Sequence, residues 1–339
     1  MKTALVTGIY GQDGAYLAEH LLKQGYRVVG AARRSAANGD SRLVELGIEN
    51  EVEIKSIELT ETSNVAQLIK QLLPDEIYNL GAQSFVAESF SCPEYTANVD
   101  ALAVLRILEA IRAFCPGTRF YQASTSEMFG KVQTVPQTET TPFYPRSPYG
   151  VAKLFGHWST VNYRESYGMF ATSGILFNHE SPLRGAEFVT RKITKTLAQI
   201  KHGKATVLQL GNLDAKRDWG FAGDYVVGMW LMMQASVADD FVLATGKTHT
   251  VRQFVLAAAA ICGFDLEWTG KGTEEKALDR KTGKTIVAVN PEYYRPAEVD
   301  LLIGDPGKAK AKLGWQSTVT FEQLSEMMMI ADLRRTANK

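Results

Sequence analysis

Cysteine and histidine are scarce in this sequence, and no stretch of it is hydrophobic enough to span a membrane. The three cysteines, Cys92, Cys115 and Cys262, are widely spaced and show no pairing pattern, which favours a reducing compartment. The five histidines lack metal-ligand spacing, so we expect no metal site. The apolar run at residues 4–6 is too short for a signal sequence, and the run at residues 254–262 is about half a membrane span. These absences predict a soluble, cytoplasmic protein without membrane association.

Neither sign of charge is in excess, because lysine plus arginine and aspartate plus glutamate number 37 each. A chain with a net charge near zero lacks the overall positive field that nucleic-acid binding uses, so we expect no nucleic-acid partner. A local basic patch for phosphate groups is still compatible with this balance. With 45% hydrophobic residues, a chain of 339 residues can form one large core or two closely joined ones.

The first half of the chain alternates short β-rich runs with amphipathic helical segments. Such alternation with short connections is typical of a parallel sheet that carries helices on both faces. The predicted strands are residues 3–7, 27–31, 53–57, 76–80 and 119–123, and the predicted helices are residues 16–24, 64–73 and 98–114. We therefore predict an α/β fold with a doubly wound parallel sheet.

The second half has a different pattern, with helices separated by short strands and polar loops. The predicted helices lie near residues 188–202, 224–235 and 251–262. Two further strands of the sheet are predicted at residues 170–176 and 241–245, and an exposed charged loop is predicted at residues 270–285. We predict a first part at residues 1–177 that forms most of the sheet. A smaller second part at residues 178–339 interleaves with it.

A glycine-rich segment joins the first predicted strand to the first helix, with glycines at the spacing GxxGxxG. Glycine is needed where the backbone turns sharply, approaches a pyrophosphate or packs helix on strand. The helix N-terminus then offers N–H groups and a positive dipole end to the anion. The predicted dinucleotide-binding residues are Gly8, Ile9, Tyr10, Gly11, Gln12, Asp13 and Gly14. A tight turn without a ligand is the alternative, but the position at the first βα turn of a Rossmann-type sheet favours the dinucleotide.

The second predicted strand runs into two arginines, Arg33 and Arg34. Sites that prefer NAD place an acidic residue here, which binds the 2′-hydroxyl of the ribose. An arginine can instead pair with a 2′-phosphate through its planar set of N–H donors. We therefore predict NADP as the cofactor, with Arg33 as a ligand. A solvated basic loop is the alternative.

Two further motifs carry candidate catalytic groups. Tyr149 and Lys153 have the spacing YxxxK, which places both side chains on one face of a helix. The Lys153 ammonium and an oxidised nicotinamide are expected to lower the pKa of the Tyr149 phenol, so that it can act as a base. YxxxK also occurs by chance on surface helices, so the spacing alone is weak evidence for a catalytic site. The polar sequence Ser-Thr-Ser-Glu at residues 124–127, directly after a predicted strand, is the second observation that supports such a site. Ligands bind at such strand ends, where Thr125 either contacts a sugar hydroxyl or caps the strand.

In this order and at these distances, the motifs resemble those of the extended short-chain dehydrogenases/reductases. With the acidic Glu127, the motif is similar to that of the nucleotide-sugar 4,6-dehydratases of that group, since epimerases usually lack an acid there. Nearly the whole chain resembles the GDP-mannose 4,6-dehydratases. The segments that carry this resemblance are residues 7–9, 12–14, 121–127, 178–182, 210–220 and 295–300.

This resemblance implies a lyase that converts GDP-D-mannose to GDP-4-dehydro-6-deoxy-D-mannose and water while its NADP is regenerated. Tyr149 takes the proton of the C4 hydroxyl as hydride leaves C4, Glu127 removes the C5 proton as the C6 hydroxyl leaves, and hydride returns to C6. The implied catalytic residues are Thr125, Glu127, Tyr149 and Lys153.

The resemblance also implies which residues contact the ligands. From it we further expect a homo-oligomer, either a dimer or a tetramer. The implied further cofactor contacts are Glu58, Leu59, Leu80, Gly81, Ala82, Gln83, Ser84, Tyr95, Lys153, His179 and Arg184, and the implied substrate contacts are Ser84, Glu127, Asn178, Lys192, Arg217 and Arg295. The first part is thus expected to bind NADP and the second mainly the substrate. For Lys192 and Arg295, ordinary surface charge is the alternative.

Some residues depart from the family pattern, and two other functions are left open. Tyr10, Gly81 and Phe129 and the insert at residues 36–40 differ from many relatives, although none of them removes a reacting group. An NADP-dependent nucleotide-sugar reductase or epimerase would need Tyr149 and Lys153 but not Glu127. A non-catalytic NADP-sensing regulator usually lacks the tyrosine or the lysine.

Overall fold

The structure is a computed structural model that describes residues 1–33, 42–293 and 301–337. The expected substrate ligand Arg295 and the basic loop at residues 34–41 lie outside the described residues. None of the helices in the described ranges combines the length and hydrophobicity that a membrane span requires. All three cysteines are described, and none of them forms a disulfide.

Strands and helices alternate along the first half of the chain, as the hydrophobic pattern predicts. The strands are β1 (Thr3–Thr7), β2 (Arg27–Ala32), β3 (Glu53–Ser56), β4 (Glu76–Asn79), β5 (Arg119–Thr125), β6 (Ala171–Leu176), β7 (Asn178–Glu180), β8 (Leu208–Leu210), β9 (Lys216–Arg217), β10 (Trp219–Phe221), β11 (Asp240–Leu243), β12 (His249–Thr250), β13 (Leu266–Thr269), β14 (Lys276–Asp279) and β15 (Thr285–Val289). The helices are α1 (Gln12–Lys23), α2 (Arg42–Leu46), α3 (Thr62–Leu72), α4 (Glu88–Ser91), α5 (Pro93–Ala97), α6 (Ala103–Phe114), α7 (Pro148–Tyr167), α8 (Val189–Lys201), α9 (Ala222–Gln234), α10 (Val251–Ile261), α11 (Gly307–Leu313) and α12 (Phe321–Ala337).

A seven-stranded parallel sheet with the order β11-β6-β5-β4-β1-β2-β3 forms the centre of the molecule. Helices cover both faces: Leu17 and Met229 of α1 and α9 are buried on one face, and Ile107 of α6 is buried on the other. Because the central strands are covered on both faces, β1 and β4 are buried almost throughout. The predicted doubly wound α/β fold is confirmed.

The second half contributes to two cores. β11 and α9 complete the large sheet and its cover next to β6, the last strand of the first part, as predicted, and the observed helices α8 and α10 match their predicted segments. A separate sheet with the order β13-β14-β15-β8 packs with α8, α10 and α12 around Ile193, Phe254 and Met328. The pattern analysis missed α11 and α12. We propose that the chain divides between residues 177 and 178, and that the second part also contributes strand β11 to the large sheet.

The expectation of an exposed loop at residues 270–285 holds for residues 270–274 and 280–284, which are exposed, but it is wrong for the segment between them. That segment contains β14, in which Ala277 and Asp279 are buried while Lys276 is exposed. Every second residue of β14 faces a core, and the charged Asp279 takes one of these buried positions. The Asp279 carboxylate accepts hydrogen bonds from Asp265 N at 3.1 Å and from Thr282 Oγ1 at 2.8 Å, so it stabilises the β14–β15 connection rather than facing solvent.

Another departure from the pattern lies in the helix predicted at residues 98–114. It begins as a π-helical turn, Asn98–Leu102, before α6 continues as a regular α-helix. Such turns are frequent at functional sites. Asp100 of this turn is almost completely buried, and its Oδ1 accepts a hydrogen bond from Gln83 N at 2.7 Å.

The packing of α1 on the loop after β1 leads to a test of stability. A Cβ atom at Gly14 would lie 2.4 Å from Gly8 O and 2.7 Å from Ile9 Cα, both of which are backbone atoms. We therefore expect Gly14→Ala to lower the free energy of unfolding by about 1–3 kcal/mol, measured by urea denaturation. Gly117→Ala is the matched control, because nothing lies within 4 Å of a Cβ atom there. Equal stability of the two variants would contradict this interpretation.

Candidate active site

The glycine-rich loop between β1 and α1 allows backbone segments to approach each other closely. Gly8 has φ +68°, and a Cβ atom there would lie 2.9 Å from Gly81 N and from Leu80 O. Gly11 precedes α1 as its N-cap residue, and no side chain caps the helix there. Glycines at these positions leave the start of α1 open to the cleft beside it, so its N–H groups can bind an anion.

The hydroxyl of Thr7 connects the carboxyl end of β1 to the end of β4 and to the loop that follows it. Its Oγ1 donates a hydrogen bond to Asn79 Oδ1 at 2.8 Å and accepts hydrogen bonds from Leu80 N at 3.1 Å and from Gly81 N at 2.9 Å. Asn79 Nδ2 in turn donates to Gln122 Oε1 of β5 at 2.8 Å. The ends of β1 and β4, the loop after β4 and strand β5 are thereby linked. Sequence reasoning did not assign this role to Thr7.

Helix α7 carries Tyr149 and Lys153 into the same region. The helix begins after Ser147, whose Oγ accepts a hydrogen bond from Gly150 N at 3.0 Å, and Pro148 occupies the first turn, where its missing N–H costs nothing. Both functional side chains are buried. Lys153 Nζ donates to Ala123 O at 2.8 Å and lies 5.8 Å from the centroid of the Tyr149 ring. The two residues share one face of the helix, as their spacing predicts.

The expectation of a lowered Tyr149 pKa is wrong as far as the protein's own residues are concerned. Burial raises the pKa of the Tyr149 phenol well above its ordinary value, and the negative charges of Asp100 and Glu127 add to this effect. Burial also lowers the pKa of Lys153, although Asp100 opposes that shift. The sequence spacing shows the nearby ammonium but not the depth at which the phenol lies.

Glu127 lies at the carboxyl end of β5, on the same side of the sheet. Thr125 ends the strand, and its Oγ1 accepts a hydrogen bond from Glu127 N at 3.2 Å, which starts a 3₁₀ turn at Ser126–Met128. The Glu127 side chain is half-buried and lines the same cleft as Tyr149 and Lys153. A carboxylate, a phenol and an ammonium therefore face one space.

His179 and Asp13 form an ion pair on another wall of the cleft. Their Nε2 and Oδ2 atoms lie 2.7 Å apart, and His179 Nδ1 is 2.7 Å from Phe177 O. Burial alone would lower the pKa of His179, but the Asp13 carboxylate raises it above 6.5. Burial alone would raise the pKa of Asp13, but His179 lowers it to about 2. The His179 ring also stacks on Tyr225 with the centroids 4.6 Å apart.

Most of the expected site residues line one open cleft. They are Gly8, Gly11, Gln12, Asp13, Gly14, Leu80, Ala82, Ser84, Thr125, Glu127, Tyr149, Lys153, Asn178, His179 and Arg184. Sequence reasoning did not assign Val86, Ser124, Ser126 and Phe188, which also line it. The two serines flank Thr125 and could have been found from that position, whereas the apolar side chains carry no chemical signal.

Other expected site residues lie behind the cleft or away from it. Ile9 is completely buried, Leu59 packs behind Gly81, and Gln83 is held by Asp100. Arg33 Nη1 donates to Tyr95 OH at 2.8 Å at the end of β2. The remaining described ones that do not line the cleft are Tyr10, Glu58, Gly81, Lys192 and Arg217. Lys192 Nζ lies 3.6 Å from the centroid of the Tyr293 ring, and Arg217 lies in β9.

Comparison with known proteins identifies the family of the chain. The family model described as GDP-mannose 4,6 dehydratase matches residues 5–328. The chain belongs to the GDP-mannose 4,6-dehydratase family. It is 54% identical to a GDP-mannose 4,6-dehydratase of Yersinia enterocolitica over 99% of this chain and 95% of the relative, and 51% identical to the human protein of that name over 98% and 91%. The predicted resemblance is confirmed.

Solved structures of low sequence identity share the fold of this GDP-mannose 4,6-dehydratase family member. DesIV, a dTDP-glucose 4,6-dehydratase from Streptomyces venezuelae, is 19% identical with a TM-score of 0.83, covering 99% of this chain and 98% of the other. RMD from Pseudomonas aeruginosa, solved in complex with NADPH, is 20% identical with a TM-score of 0.76, covering 99% and 100%.

The ion pair between His179 and Asp13 predicts a dependence of stability on pH. Its histidine contribution is present below pH 6.5 and is lost as the pH rises through the raised pKa; its aspartate contribution is present above pH 3.8 and is lost as the pH falls towards 2. We expect His179→Gln to cost about 2 kcal/mol of unfolding free energy near pH 6, and less as the pH rises towards 9. Thermal unfolding over that range measures the difference. His202→Gln, at the exposed end of α8, is the control; a pH-independent difference for His179→Gln would contradict the assignment.

Proposed function

We propose that this protein is a GDP-mannose 4,6-dehydratase, a hydro-lyase that converts GDP-D-mannose to GDP-4-dehydro-6-deoxy-D-mannose and water. The observation that carries the proposal is the position of Glu127, half-buried in the cleft that Tyr149, Lys153 and the glycine-rich loop also line. Family membership supports the substrate, because the relatives at 51–54% identity carry that name.

The cleft fits a nicotinamide dinucleotide. Gly8 and Gly14 let the loop after β1 pack tightly on neighbouring backbone, where a Cβ atom would clash, and α1 presents its N-terminus to the cleft. We propose that the phosphates bind there, that Arg184 contributes positive charge, and that Arg33 and Tyr95 hold a 2′-phosphate, which makes NADP the cofactor. The hydrogen bond between Arg33 and Tyr95 supports this, because it orients a guanidinium at the end of β2.

The protein groups would perform the proton transfers. A bound nicotinamide would supply a hydride acceptor for C4 and then a hydride donor for C6 of the hexose, and its positive charge would favour a phenolate. Tyr149 takes the proton of the C4 hydroxyl, and Lys153, held on Ala123 O, provides an ammonium beside it. Thr125, at the end of β5, hydrogen-bonds the sugar and keeps the C4 oxygen within reach of the phenol.

Glu127 distinguishes dehydration from simple oxidation. Once C4 is a ketone, the proton on C5 is acidic, and a carboxylate on the other side of the sugar can remove it. The proton from C5 and the hydroxyl from C6 together make up the water that is released. As hydride reaches C6, a proton returns to C5, which balances the proton that Tyr149 took from the C4 hydroxyl. Glu127 fits this task because β5 and the 3₁₀ turn fix its backbone while its side chain opens to the cleft.

The GDP-sugar extends from the cleft towards the second part of the chain in this proposal. Ser84 and Asn178 line the cleft and would contact the sugar, whereas Lys192 and Arg217, on α8 and β9, would meet the diphosphate or the nucleoside. Lys192 is half-buried, and this burial lowers the pKa of its amine; a bound anion would oppose that shift by stabilising the ammonium.

A cytoplasmic homo-oligomer is part of the proposal. Val151, Phe155 and Trp158 are between 45% and 56% exposed on α7, and such an apolar surface favours contact with a second copy. The absence of disulfides among the three cysteines agrees with a reducing compartment.

Replacement of Glu127 tests the proposed reaction. We expect the wild-type protein to convert GDP-mannose, without added NADPH, to a product whose NMR spectrum shows a C6 methyl doublet. Glu127→Gln should lower kcat by about 10²–10⁴-fold, since one general base is lost. Glu139→Gln, a carboxylate outside the cleft, is the control. Oxidised or epimerised sugar as the only wild-type product would show a different activity.

Replacement of Arg33 tests the choice of cofactor. Loss of a charged hydrogen bond to a 2′-phosphate should weaken NADP binding by about tenfold or more and leave NAD binding within about twofold. Arg27→Ala, at the opposite end of β2, should change neither affinity. Isothermal titration with both dinucleotides measures the two dissociation constants, and an equal loss for both dinucleotides in Arg33→Ala would argue against a 2′-phosphate contact.

A further inference from the structure

The turn that carries Arg184 into the cleft is held by two other arginines. Residues 182–184 follow β7 outside any helix or strand, and each of their carbonyl oxygens accepts a hydrogen bond from a guanidinium. Arg191 Nη1 donates to Pro182 O at 2.7 Å and to Arg184 O at 2.8 Å, and Arg42 Nε donates to Leu183 O at 2.5 Å. Backbone carbonyls without a ladder partner need such donors, so these arginines determine the path of the turn.

Arg42 also reaches the opposite wall of the cleft. Its Nη1 donates to Tyr10 O at 2.7 Å, within the loop between Gly8 and Gly11. One planar guanidinium therefore bridges the glycine-rich loop and the turn at Leu183. Because the donors of a guanidinium have a fixed geometry, this bridge helps to set the separation of the two segments, together with the ion pair of Asp13 and His179, and a lysine could not reproduce it.

Arg191 is fixed in turn by the C-terminal helix α12. Its Nε donates to both carboxylate oxygens of Asp332, at 2.9 and 2.7 Å, and Asp332 is only 2% exposed. Thr194 Oγ1 and Arg335 Nη1 donate to the same carboxylate at 2.7 and 3.0 Å. A buried, fully paired carboxylate holds Arg191 firmly, since moving it would leave charge unpaired.

The Arg184 side chain itself contacts residues that are close to it along the chain. Arg184 Nε lies 3.1 Å from Glu180 Oε2, and its guanidinium lies 3.5 Å from the centroid of the Phe188 ring. Glu180 and Phe188 come from the chain on either side of the turn. The position of the guanidinium in the cleft therefore depends on how the turn is anchored to the rest of the molecule.

We propose that Arg42 and Arg191 are positioning residues for the dinucleotide site, with Asp332 as the support of Arg191. They hold Arg184 and the glycine-rich loop at the separation that the phosphates of a bound dinucleotide require. This inference rests on the proposed function, in which Arg184 and the loop contact the cofactor. Arg42 and Arg191 act through the backbone and need not touch the ligand.

Conservative variants separate positioning from charge. Arg42→Lys and Arg191→Lys keep the positive charge but lose the paired donors, so each should raise the dissociation constant for NADP by about tenfold or more. At saturating NADP, kcat should stay within about threefold of the wild-type value. Tryptophan fluorescence on protein stripped of dinucleotide measures binding, and circular dichroism establishes that each variant is folded.

A second arrangement tests whether Arg191 acts through Arg184. In an Arg184→Gln background, Arg191→Lys should weaken NADP binding by less than about twofold, because the two changes share one effect. Arg335→Gln is the matched control: it removes ion pairs to Asp332 and Glu45 but no contact with the turn. It should bind NADP as the wild type does.

The outcomes are decisive for each idea separately. Wild-type NADP affinity in Arg42→Lys and Arg191→Lys overturns the positioning role, and so does an equal loss of affinity in Arg335→Gln, since this would reflect general loosening of α12. If Arg191→Lys does not fold, Arg42→Lys alone decides. A wild-type protein that binds NADP but does not convert GDP-mannose would refute the proposed reaction and leave the binding comparison intact.

Discussion

The hydrogen bonds of the Thr7 side chain are the constraint on which the cleft depends. Parallel strands bring their carboxyl ends to one edge, but the loops that leave them have no ladder to fix their separation. Thr7 bonds the loop after β4, and Asn79 extends the connection to Gln122 in β5. These side chains are buried, so water does not compete for the hydrogen bonds. The glycines after β1 can then pass within contact distance of Leu80 and Gly81.

The charges around the phenol favour its protonated form. Asp100 is 1% exposed, its Oδ2 has no hydrogen-bond partner among the described residues, and burial raises its pKa to about 6. Its negative charge raises the pKa values of both Tyr149 and Lys153. In the proposed reaction, Tyr149 is thus a poor base until positive charge enters the cleft. Proton removal from the sugar would thereby be linked to the presence of an oxidised cofactor.

Sequence reasoning succeeded where the signal is local. The spacing of Tyr149 and Lys153 and the position of Glu127 after a strand sufficed to place three candidate reacting groups in one cleft. It failed for the pKa of Tyr149, because burial is set by tertiary packing. It also missed Arg42 and Arg191, whose carbonyl partners become neighbours only when β7, α2 and α8 assemble. The expectation of a loop at residues 270–285 failed at β14 for a related reason. The charge of Asp279 suggests exposure to solvent, and only the structure shows the hydrogen bonds that its buried carboxylate accepts.

The interleaving of the two halves gives the cleft its rigidity. If residues 178–339 only covered the sheet as a separate cap, the turn after β7 could move with the cap. Instead, β11 of the second part pairs with β6 in the large sheet, α9 packs on α1, and α12 reaches back to Arg191 through Asp332. The wall that carries His179 and Arg184 is therefore anchored both to the sheet and to the second core. A change in α12 can reach the cleft through this path, although the helix lies about 150 residues along the chain from the turn it supports.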